Sequence, residues 1–286
     1  MRVFNDFPDS TAIKRVNNAL RTHAPKDVVF VPRSEQADLV ILNAIGRRDE
    51  IKRKAEEALR RRQRYVVIQY CVRSTQKPST ADWVGIWRNA SLVWSYYDLS
   101  RLCEEDGVED NFPHYLSPLG VDLIFERKQS RKDYVILTSG HGYMTEGVRE
   151  CYKSGTGLGM RMAHLGPNLG KFDIDYFTGI NDSKLVNLYN RCCYVSGLRR
   201  TEGFELPAAE GILCGVRPIL FDQPHYRLWY DNWGIFIKEE GREGVIESLN
   251  KILVREPDYM SQADIEEARK MFDWKSIIGV FWSILN

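Results

Sequence analysis

The segment from Thr201 to Pro218 has the residue types and the spacing that could bind a phosphorylated sugar. Glu202 and Glu210 are two carboxylates eight positions apart, with Gly203 and Pro207 between them at the expected start of a helix. A helix N-terminus presents unpaired N–H groups and partial positive charge, which suit a diphosphate. Two carboxylates repel phosphates but accept hydrogen bonds from sugar hydroxyls. The alternative interpretation is one surface glutamate and one glutamate on a helix face.

Composition limits the class of protein. The 286 residues include 40 Lys+Arg and 39 Asp+Glu, and 43% are hydrophobic, which is typical of globular domains and excludes a disordered or collagen-like chain. At about 150 residues per domain the length predicts two domains. No apolar run approaches the roughly 18 residues of a membrane span, and the first residues lack a signal-peptide pattern. We therefore expect a cytoplasmic protein without a transmembrane segment.

The six cysteines support a reducing compartment. They include no Cys-x-x-Cys pair and no Cys/His spacing of a zinc site, and Cys192 and Cys193 are adjacent, which does not suit a simple disulfide. We expect reduced thiols in a packed interior and no bound metal.

Short apolar strands alternate with helical stretches along the chain, and the pattern restarts at its middle. Strands are expected at residues 2–4, 27–31, 37–42, 65–70 and 92–94, and then at 133–138, 161–165, 174–177, 193–195, 218–221 and 234–237. Helices are expected at 11–22, 51–64, 146–154, 183–190 and 207–214. This alternation predicts parallel sheets covered on both faces. We therefore expect an α/β chain of two Rossmann-like domains facing across a cleft.

Charge is distributed unevenly between the two halves. Residues 1–103 contain 19 Lys+Arg against 11 Asp+Glu, and residues 104–286 contain 21 against 28. Much of the basic excess lies in residues 51–64, where Ile51, Ala55, Ala58 and Leu59 form one narrow apolar face of a helix. The basic remainder would attract a nucleic acid or an anionic membrane, or would simply be a solvated helix surface.

The segment from Glu202 to Pro218 resembles the Glu-x7-Glu signature of the family 4 retaining glycosyltransferases, which have the GT-B fold. The matching positions are Glu202, Gly203, Phe204, Leu206, Pro207, Glu210, Cys214, Gly215 and Pro218. The sequence departs at Glu205, where the family usually has glycine.

Three further stretches resemble the same family. Residues 116–122 are similar to its domain crossover, residues 176–189 to its strand, glycine and helix before a final Tyr, and Phe272-Asp273-Trp274 to its closing Phe-x-Trp. Residues 1–110 match only in the order of strands and helices. The resemblance implies an acceptor domain at 1–120, a nucleotide-sugar domain at 121–269, and a last helix, 270–286, that returns to the first domain.

By this resemblance, residues 199–210 would bind the donor. Glu202 would contact the hydroxyls of the transferred sugar and act as the main catalytic residue. The amides of Gly203 and Phe204 would lie near the sugar and the diphosphate, with Leu206 in the same donor-binding segment. Glu210 would accept hydrogen bonds from the nucleotide ribose.

One departure from the family concerns the diphosphate. The family usually has Gly-Arg and then Lys-Gly after the first strand of this domain, whereas this sequence has Gly140-His141 and Glu146-Gly147. His141 is still able to donate to a phosphate, but Glu146 is not. Arg199 and Arg200, just before Glu202, are the candidate substitutes, or else the edge of a charged loop.

The implied reaction transfers a sugar from a nucleotide diphosphate donor such as UDP-glucose, with retention of anomeric configuration. The leaving phosphate can take the acceptor's proton, so no protein nucleophile is required. Asp6, at the end of the first strand, is a candidate base, or a turn residue before a helix. No metal or cofactor beyond the nucleotide-sugar co-substrate is implied.

The acceptor is expected to be a polyanion, because the first half is basic. Arg60, Arg61, Arg62 and Arg64 are the candidate acceptor-binding residues. Five aromatic residues of the same half would stack on bases or sugars or pack in the core: Trp83, Trp87, Trp94, Tyr96 and Tyr97.

A compact chain of this kind resembles the phage glycosyltransferases that modify hydroxymethylated bases in DNA, which would place it in the host cytoplasm. DNA is therefore the first acceptor hypothesis. The alternatives are a bacterial saccharide or lipid acceptor, with the basic helix at a membrane surface, and a catalytically weak nucleotide-sugar or nucleic-acid binding protein.

Overall fold

The structure is a computed structural model that describes residues 1–7, 11–71, 80–142, 145–170, 172–200 and 203–285. The chain divides into two compact units. Unit 1 comprises Met1–Gly120 and Asp273–Asn286, and unit 2 comprises Val121–Phe272. Each unit is built on one six-stranded sheet in which the neighbouring strands are parallel. The α/β class expected from the alternation of strands and helices is confirmed.

Unit 1 begins with alternating strands and helices. The strands are β1 (Arg2–Asp6), β2 (Val29–Phe30), β3 (Leu39–Ala44), β4 (Arg64–Gln69), β5 (Leu92–Ser95) and β6 (His114–Leu116). The helices of this part are α1 (Thr11–Thr22), α2 (Arg48–Arg60), α3 (Ala81–Trp87) and α4 (Leu99–Glu105). The sheet order is β2-β1-β3-β4-β5-β6. Because the chain leaves β1 on one side and returns to β3 on the other, the carboxyl ends of these two strands form a topological switch point.

Unit 2 repeats the alternation with a different strand order. Its strands are β7 (Tyr134–Ser139), β8 (Met162–Leu165), β9 (Asp175–Phe177), β10 (Cys192–Gly197), β11 (Arg217–Phe221) and β12 (Ile235–Ile237). Its helices are α5 (Val148–Gly157), α6 (Asp182–Asn190), α7 (Leu206–Leu213), α8 (Pro224–Tyr230), α9 (Gly241–Leu253) and α10 (Gln262–Met271). The order β12-β11-β10-β7-β8-β9 is that of a dinucleotide-binding sheet, with its switch point between β7 and β10.

The central strands have the burial that parallel sheets require. Every residue of β3 and of β7 is buried, so these strands have no solvent face and their sequences are apolar runs instead of alternating patterns. No helix among the described residues has both the length and the apolar character needed to cross a membrane.

The last helix, α11 (Trp274–Leu285), completes the core of unit 1. The Trp282 indole donates to the Leu20 carbonyl at 3.3 Å, and the Phe281 ring lies 5.5 Å from the Trp94 ring. The Arg64 guanidinium donates to the Leu285 carbonyl at 2.9 Å. This hydrogen bond gives a partner to a carbonyl at the C-terminus of α11, where carbonyls have none within the helix.

The aromatic side chains of unit 1 belong to its core. Each of the five proposed for stacking on bases or sugars is at most 6% exposed: Trp83, Trp87, Trp94, Tyr96 and Tyr97. Trp83 and Trp87 stack on each other with their ring centroids 6.4 Å apart. The proposal that these rings bind a ligand is therefore wrong for the described arrangement, because burial leaves no ring face for a base.

All six cysteines are thiols, and four of them are buried: Cys103, Cys151, Cys192 and Cys214. Burial raises the pKa of the Cys151 thiol to about 12, so this sulfur stays protonated and unreactive at neutral pH. The expectation of interior thiols is confirmed for these four, whereas Cys71 and Cys193 are partly exposed.

We expect Gly120→Ala to destabilise unit 1 by about 1–3 kcal/mol, the usual cost of overpacking. A Cβ at this position would lie within 2.7 Å of three ring atoms of Trp274, which is 6% exposed and has little room to move. Urea unfolding followed by tryptophan fluorescence measures the change. Gly85→Ala in α3 is the matched control, because nothing lies within 4 Å of its Cβ position and alanine favours a helix. Equal stability of the two variants would contradict the packing argument.

Candidate functional site

The switch point of unit 2 brings together two loops and two helix N-termini. β7 ends at Ser139 and β10 ends at Gly197, and these strands are paired in the sheet. The chain after β7 leads to α5, and the chain after β10 leads to α7. Ligands of open α/β sheets bind beside the carboxyl ends of the strands at such a point.

A glycine turn follows β7. Gly140 has φ +116°, and a Cβ there would overlap the carboxylate of Glu146. Gly166, after β8, has φ +154°, and a Cβ there would collide with the Gly140 carbonyl oxygen. Both positions therefore require glycine, and the backbone at the end of β7 is closely approached from two sides.

His164 positions the glycine turn through a hydrogen bond to the Gly140 carbonyl. Its side chain is fully buried, and burial lowers the pKa of the imidazole, so the ring is neutral. The ring nitrogens are assigned from their partners: Nε2 donates to the Gly140 carbonyl at 3.1 Å, and Nδ1 accepts from the Thr138 hydroxyl at 2.9 Å. A neutral histidine thus fixes the carbonyl at the first residue of the turn.

Arg199 is the central cation of the site. Its Nε lies 3.0 Å from Oε2 of Glu205, its Nη1 lies 3.3 Å from Oε1 of Glu146, and its Nη2 donates to the Ser139 hydroxyl at 3.3 Å. Glu205 is 1% exposed and Arg199 is 16% exposed. The ion pair is largely desolvated, so removing one partner would leave the other as an uncompensated buried charge.

Glu146 links the arginine to the glycine turn. Its Oε2 accepts the backbone N–H of Gly142 at 2.7 Å, and its Oε1 faces Arg199. Gly147, the next residue, is the N-cap of α5. The Glu146 carboxylate thus lies against the glycine turn, beside the N-terminus of α5 and the Arg199 guanidinium.

Arg200 is held away from this cluster. Its Nη2 lies 3.0 Å from Glu150 and its Nε lies 3.1 Å from Glu239, and its guanidinium covers the Phe221 ring at 5.1 Å. Of the two arginines expected to replace the family's phosphate-binding residues, the structure therefore places only Arg199 against the glycine turn.

The residues of the Glu-x7-Glu segment have distinct environments. Glu202 lies outside the described residues. Gly203 is buried, Leu206 is partly exposed as the first residue of α7, and Phe204 is 6% exposed with its ring 5.6 Å from Tyr230. Phe204 therefore anchors the segment in the core through its side chain, leaving only its backbone for a ligand.

Glu210 lies in the middle of α7 and is 3% exposed. Its Oε2 accepts the Tyr189 hydroxyl at 2.7 Å, which compensates a buried carboxylate. His141 is exposed at the surface of the turn. Glu210 and His141 thus differ in access: the first is an interior acceptor and the second is open to solvent.

Unit 1 has a cavity of about 460 Å³ at its own switch point. Asp6, at the carboxyl end of β1, lines it together with Asn43 of β3 and the first turns of α2. Lys54 Nζ lies 2.6 Å from Asp6 Oδ2 and 2.7 Å from Glu50 Oε1. Hydrogen bonds and charge from these two acids raise the pKa of Lys54 against the opposing effect of burial, so the ammonium is retained.

Buried amides support this cavity. The Asn43 amide donates to the Asn5 side-chain oxygen and to the Asp6 carbonyl, both at 2.8 Å. Asn5 in turn donates to Asn17 at 2.8 Å, and the Tyr70 hydroxyl donates to Asn43 at 3.0 Å. This chain of satisfied polar groups fixes the backbone of Asp6 at the cavity edge.

Arg60, Arg61, Arg62 and Arg64 do not lie at this cavity. α2 runs from the carboxyl edge of the sheet to its amino edge, and these residues follow at the end of α2 and the start of β4. A 13-residue helix is about 20 Å long. Arg61 instead lines a second cavity, of about 190 Å³, which Asp6 and Lys54 also line. The sequence could not reveal this arrangement, because it depends on how α2 packs beside β1.

Sequence reasoning missed several residues of both sites. The partners of Asp6, namely Asn43, Glu50 and Lys54, and the turn-positioning His164 carried no motif. Glu146 and Glu205 were detected only as departures from the family pattern, which was the available signal. The part of the chain that the structure describes contains no group of three or more His, Cys, Asp or Glu side chains placed to hold a metal ion.

No protein-family model matches this chain, and no curated protein matches its sequence. Solved structures do match its fold. HepE from Anabaena, in complex with UDP, superposes with a TM-score of 0.74 at 12% identity, over 99% of this chain and 99% of HepE. Sucrose-phosphate synthase from Thermosynechococcus elongatus superposes with a TM-score of 0.72 at 13% identity, over 98% of this chain and 79% of that protein.

The lipopolysaccharide outer core galactosyltransferase WaaB superposes with a TM-score of 0.67 at 11% identity, over 100% of this chain and 99% of WaaB. Similarity at these identities shows the fold, which is GT-B. The fold expected from the Glu-x7-Glu segment is therefore confirmed.

We expect Arg199→Ala to lower the free energy of unfolding by about 3 kcal/mol, because it leaves the buried Glu205 carboxylate without its guanidinium. Urea unfolding measures the loss, and Arg199→Ala combined with Glu205→Gln should recover part of it. Lys251→Ala, which breaks an exposed pair with Glu247, is the control and should cost less than about 1 kcal/mol. If the double variant were as unstable as Arg199→Ala alone, the loss of stability would not come from the unpaired Glu205 carboxylate.

We expect the stability difference between wild type and His164→Gln to shrink as pH falls from 7.5 to 5. The folded-state pKa of His164 is lowered, so below the unfolded value near 6.5 only the unfolded wild-type chain gains a proton at this position. Wild type therefore loses stability over this range, and glutamine does not. Urea unfolding at the two pH values gives the difference, and a constant difference would mean that folding does not lower the pKa of the imidazole.

Proposed function

We propose that the protein is a retaining glycosyltransferase of the family 4 type, which transfers a sugar from a nucleotide diphosphate donor, UDP-sugar in the first instance, to an acceptor hydroxyl. The observation that carries this proposal is the switch point of unit 2. There the start of α7, which belongs to the Glu-x7-Glu segment, shares one sheet edge with Arg199 and the glycine turn at Gly140.

The donor diphosphate binds at this edge. Arg199 supplies a guanidinium and Gly142 a backbone N–H, and the N-termini of α5 and α7 add partial positive charge. Arg199 thereby replaces the Arg and Lys that the family resemblance leads one to expect after β7. Glu210, held by Tyr189, is the residue that the family resemblance assigns to the ribose hydroxyls. The UDP in HepE supports the class of donor.

The chemistry depends on stabilising the departing diphosphate. As the bond between the sugar and the phosphate breaks, negative charge grows on the phosphate oxygens, and the guanidinium and amide groups stabilise it without reorganising. The freed phosphate oxygen takes the acceptor's proton, so the new bond forms on the face that the phosphate leaves. Glu202 hydrogen-bonds the hydroxyls of the sugar and keeps its anomeric carbon in place.

The acceptor is a saccharide that binds in the cavity of unit 1. Its lining combines the carboxylates of Asp6 and Glu50 and the amide of Asn43 with apolar side chains, a mixture that suits hydroxyls alternating with C–H surfaces. Asp6, fixed by Lys54, orients an acceptor hydroxyl. The glucose bound with UDP in one HepE structure supports a site for sugars.

DNA as the acceptor has less support. The hypothesis rested on Arg60, Arg61, Arg62 and Arg64, which follow one another at the end of α2 and the start of β4 and do not line the cavity at the switch point. The aromatic residues that were to stack on bases are in the core. None of the structural neighbours described above acts on DNA by its name.

The proposal is tested by mass spectrometry of reactions that contain a panel of UDP-sugars with either oligosaccharides or hydroxymethylated DNA. We expect a glycosylated oligosaccharide with retained configuration, and loss of the product by at least about a hundredfold in Glu202→Ala, the scale for removing a group that acts in the transition state. Asp6→Asn should lower transfer while leaving slow hydrolysis of the donor unchanged.

Glu109→Gln, which neutralises an exposed carboxylate of unit 1, is the control for Asp6 and should leave transfer unchanged. Formation of a glycosylated nucleoside would show that DNA, and not a saccharide, is the acceptor. Full activity of Glu202→Ala, or neither transfer nor hydrolysis with any donor, would refute the proposed function.

A further inference from the structure

Glu146 lies where an anionic ligand of the glycine turn is expected. The position after β7 at a switch point is a phosphate position in sheets of this order, and three features of the surroundings favour an anion there. Gly142 presents a backbone N–H at 2.7 Å, Arg199 presents Nη1 at 3.3 Å, and α5 begins two residues later. The two oxygens of the Glu146 side chain occupy this position and contact the Gly142 amide and the Arg199 guanidinium.

Both carboxylate oxygens of Glu146 are paired at this position. One accepts from the Gly142 backbone amide and the other faces the Arg199 guanidinium, and contacts of this charge-assisted kind also bind phosphate oxygens. The carboxylate also fills the space directly above Gly140, where a Cβ would overlap it. With 12% of the side chain exposed, this position is enclosed and specific.

Arg199 keeps its orientation without Glu146. Its Nε is held by the buried Glu205 at 3.0 Å and its Nη2 by Ser139 at 3.3 Å. Only Nη1 is directed at Glu146. If the carboxylate of Glu146 leaves, Nη1 and the Gly142 amide remain pointed at the same place.

We propose that Glu146 is an intramolecular competitor of the donor diphosphate and thereby sets the affinity for the donor. This inference rests on the proposed function for the identity of the ligand. The carboxylate occupies the anion position in the unliganded protein and moves out when a diphosphate enters. The measured dissociation constant is then the intrinsic one divided by the fraction of molecules in which Glu146 has left.

Removing the charge should therefore strengthen binding, the opposite of what substitution of a binding residue does. We expect Glu146→Gln to bind UDP and inorganic pyrophosphate about tenfold more tightly than wild type, which corresponds to an open fraction of about one tenth in wild type. Glu146→Ala should show the same direction. Isothermal titration with each probe gives the dissociation constants, and thermal unfolding checks that each variant is folded.

Glu239→Gln is the matched control. Glu239 pairs with Arg200, the neighbour of Arg199, so the substitution removes a carboxylate charge from the same region without touching the turn. Its dissociation constants should stay within about twofold of wild type, since this carboxylate is 35% exposed and solvent and salt screen its charge. If Glu239→Gln and Glu146→Gln lowered the dissociation constants equally, the cause would be a general effect of charge. That result would refute the proposal that Glu146 competes with the donor.

The two probes separate the two proposals. Tighter binding of pyrophosphate by both Glu146 variants, with no binding of UDP and no sugar transfer, would keep the competitor and refute the proposed function. Binding of UDP that is unchanged or weakened in folded Glu146→Gln and Glu146→Ala would overturn the competitor and keep the proposed function. Absence of binding of either probe by every variant would overturn both.

Discussion

The ion pair between Arg199 and the buried Glu205 is the interaction on which the rest of the site depends. A carboxylate that is 1% exposed requires an opposite charge beside it, and the guanidinium that supplies this charge is held in one orientation. That orientation brings its remaining nitrogens to Ser139 at the end of β7 and to Glu146 beside the glycine turn. One pair thus connects the two strands of the switch point and the segments that lead into α5 and α7. The family's glycine at the position of Glu205 would leave Arg199 without this anchor.

Many of the helices and strands could be predicted from local sequence patterns. Site residues could be predicted where they belong to a motif, as in the Glu-x7-Glu segment. α1 was predicted with its observed bounds, and α6 and α7 within one residue, because helices with apolar faces have local signals. β2 was predicted over five residues and has two, because it is an edge strand whose length is set by pairing with β1 alone. α3 and α4 were missed, and each has only seven residues, about two helical turns in which to detect a period. The predictions also lacked α8, α9 and α10.

The contacts of the candidate sites could not be predicted, because they join distant parts of the chain. Glu146 and Arg199 are 53 positions apart, and Lys54 and Asp6 are 48 apart. The sequence showed that the usual cations were absent after β7, but not that Glu146 contacts both the Gly142 amide and Arg199. It also grouped Arg60, Arg61, Arg62 and Arg64 as one basic surface without showing which edge of the sheet they occupy. In both cases the deciding information is the direction of a helix or the register of a strand.

The packing of α11 on unit 1 has a consequence for the order in which the chain folds during synthesis. Trp282 and Phe281 fill the core beside Leu20 and Trp94, yet the ribosome makes them only after the whole of unit 2. Domains generally fold as they emerge, so unit 2 can reach its native state while unit 1 still exposes the apolar surface that α11 will cover. The nascent first unit therefore keeps that apolar surface exposed until α11 is made. Its completion waits for the final helix of the chain.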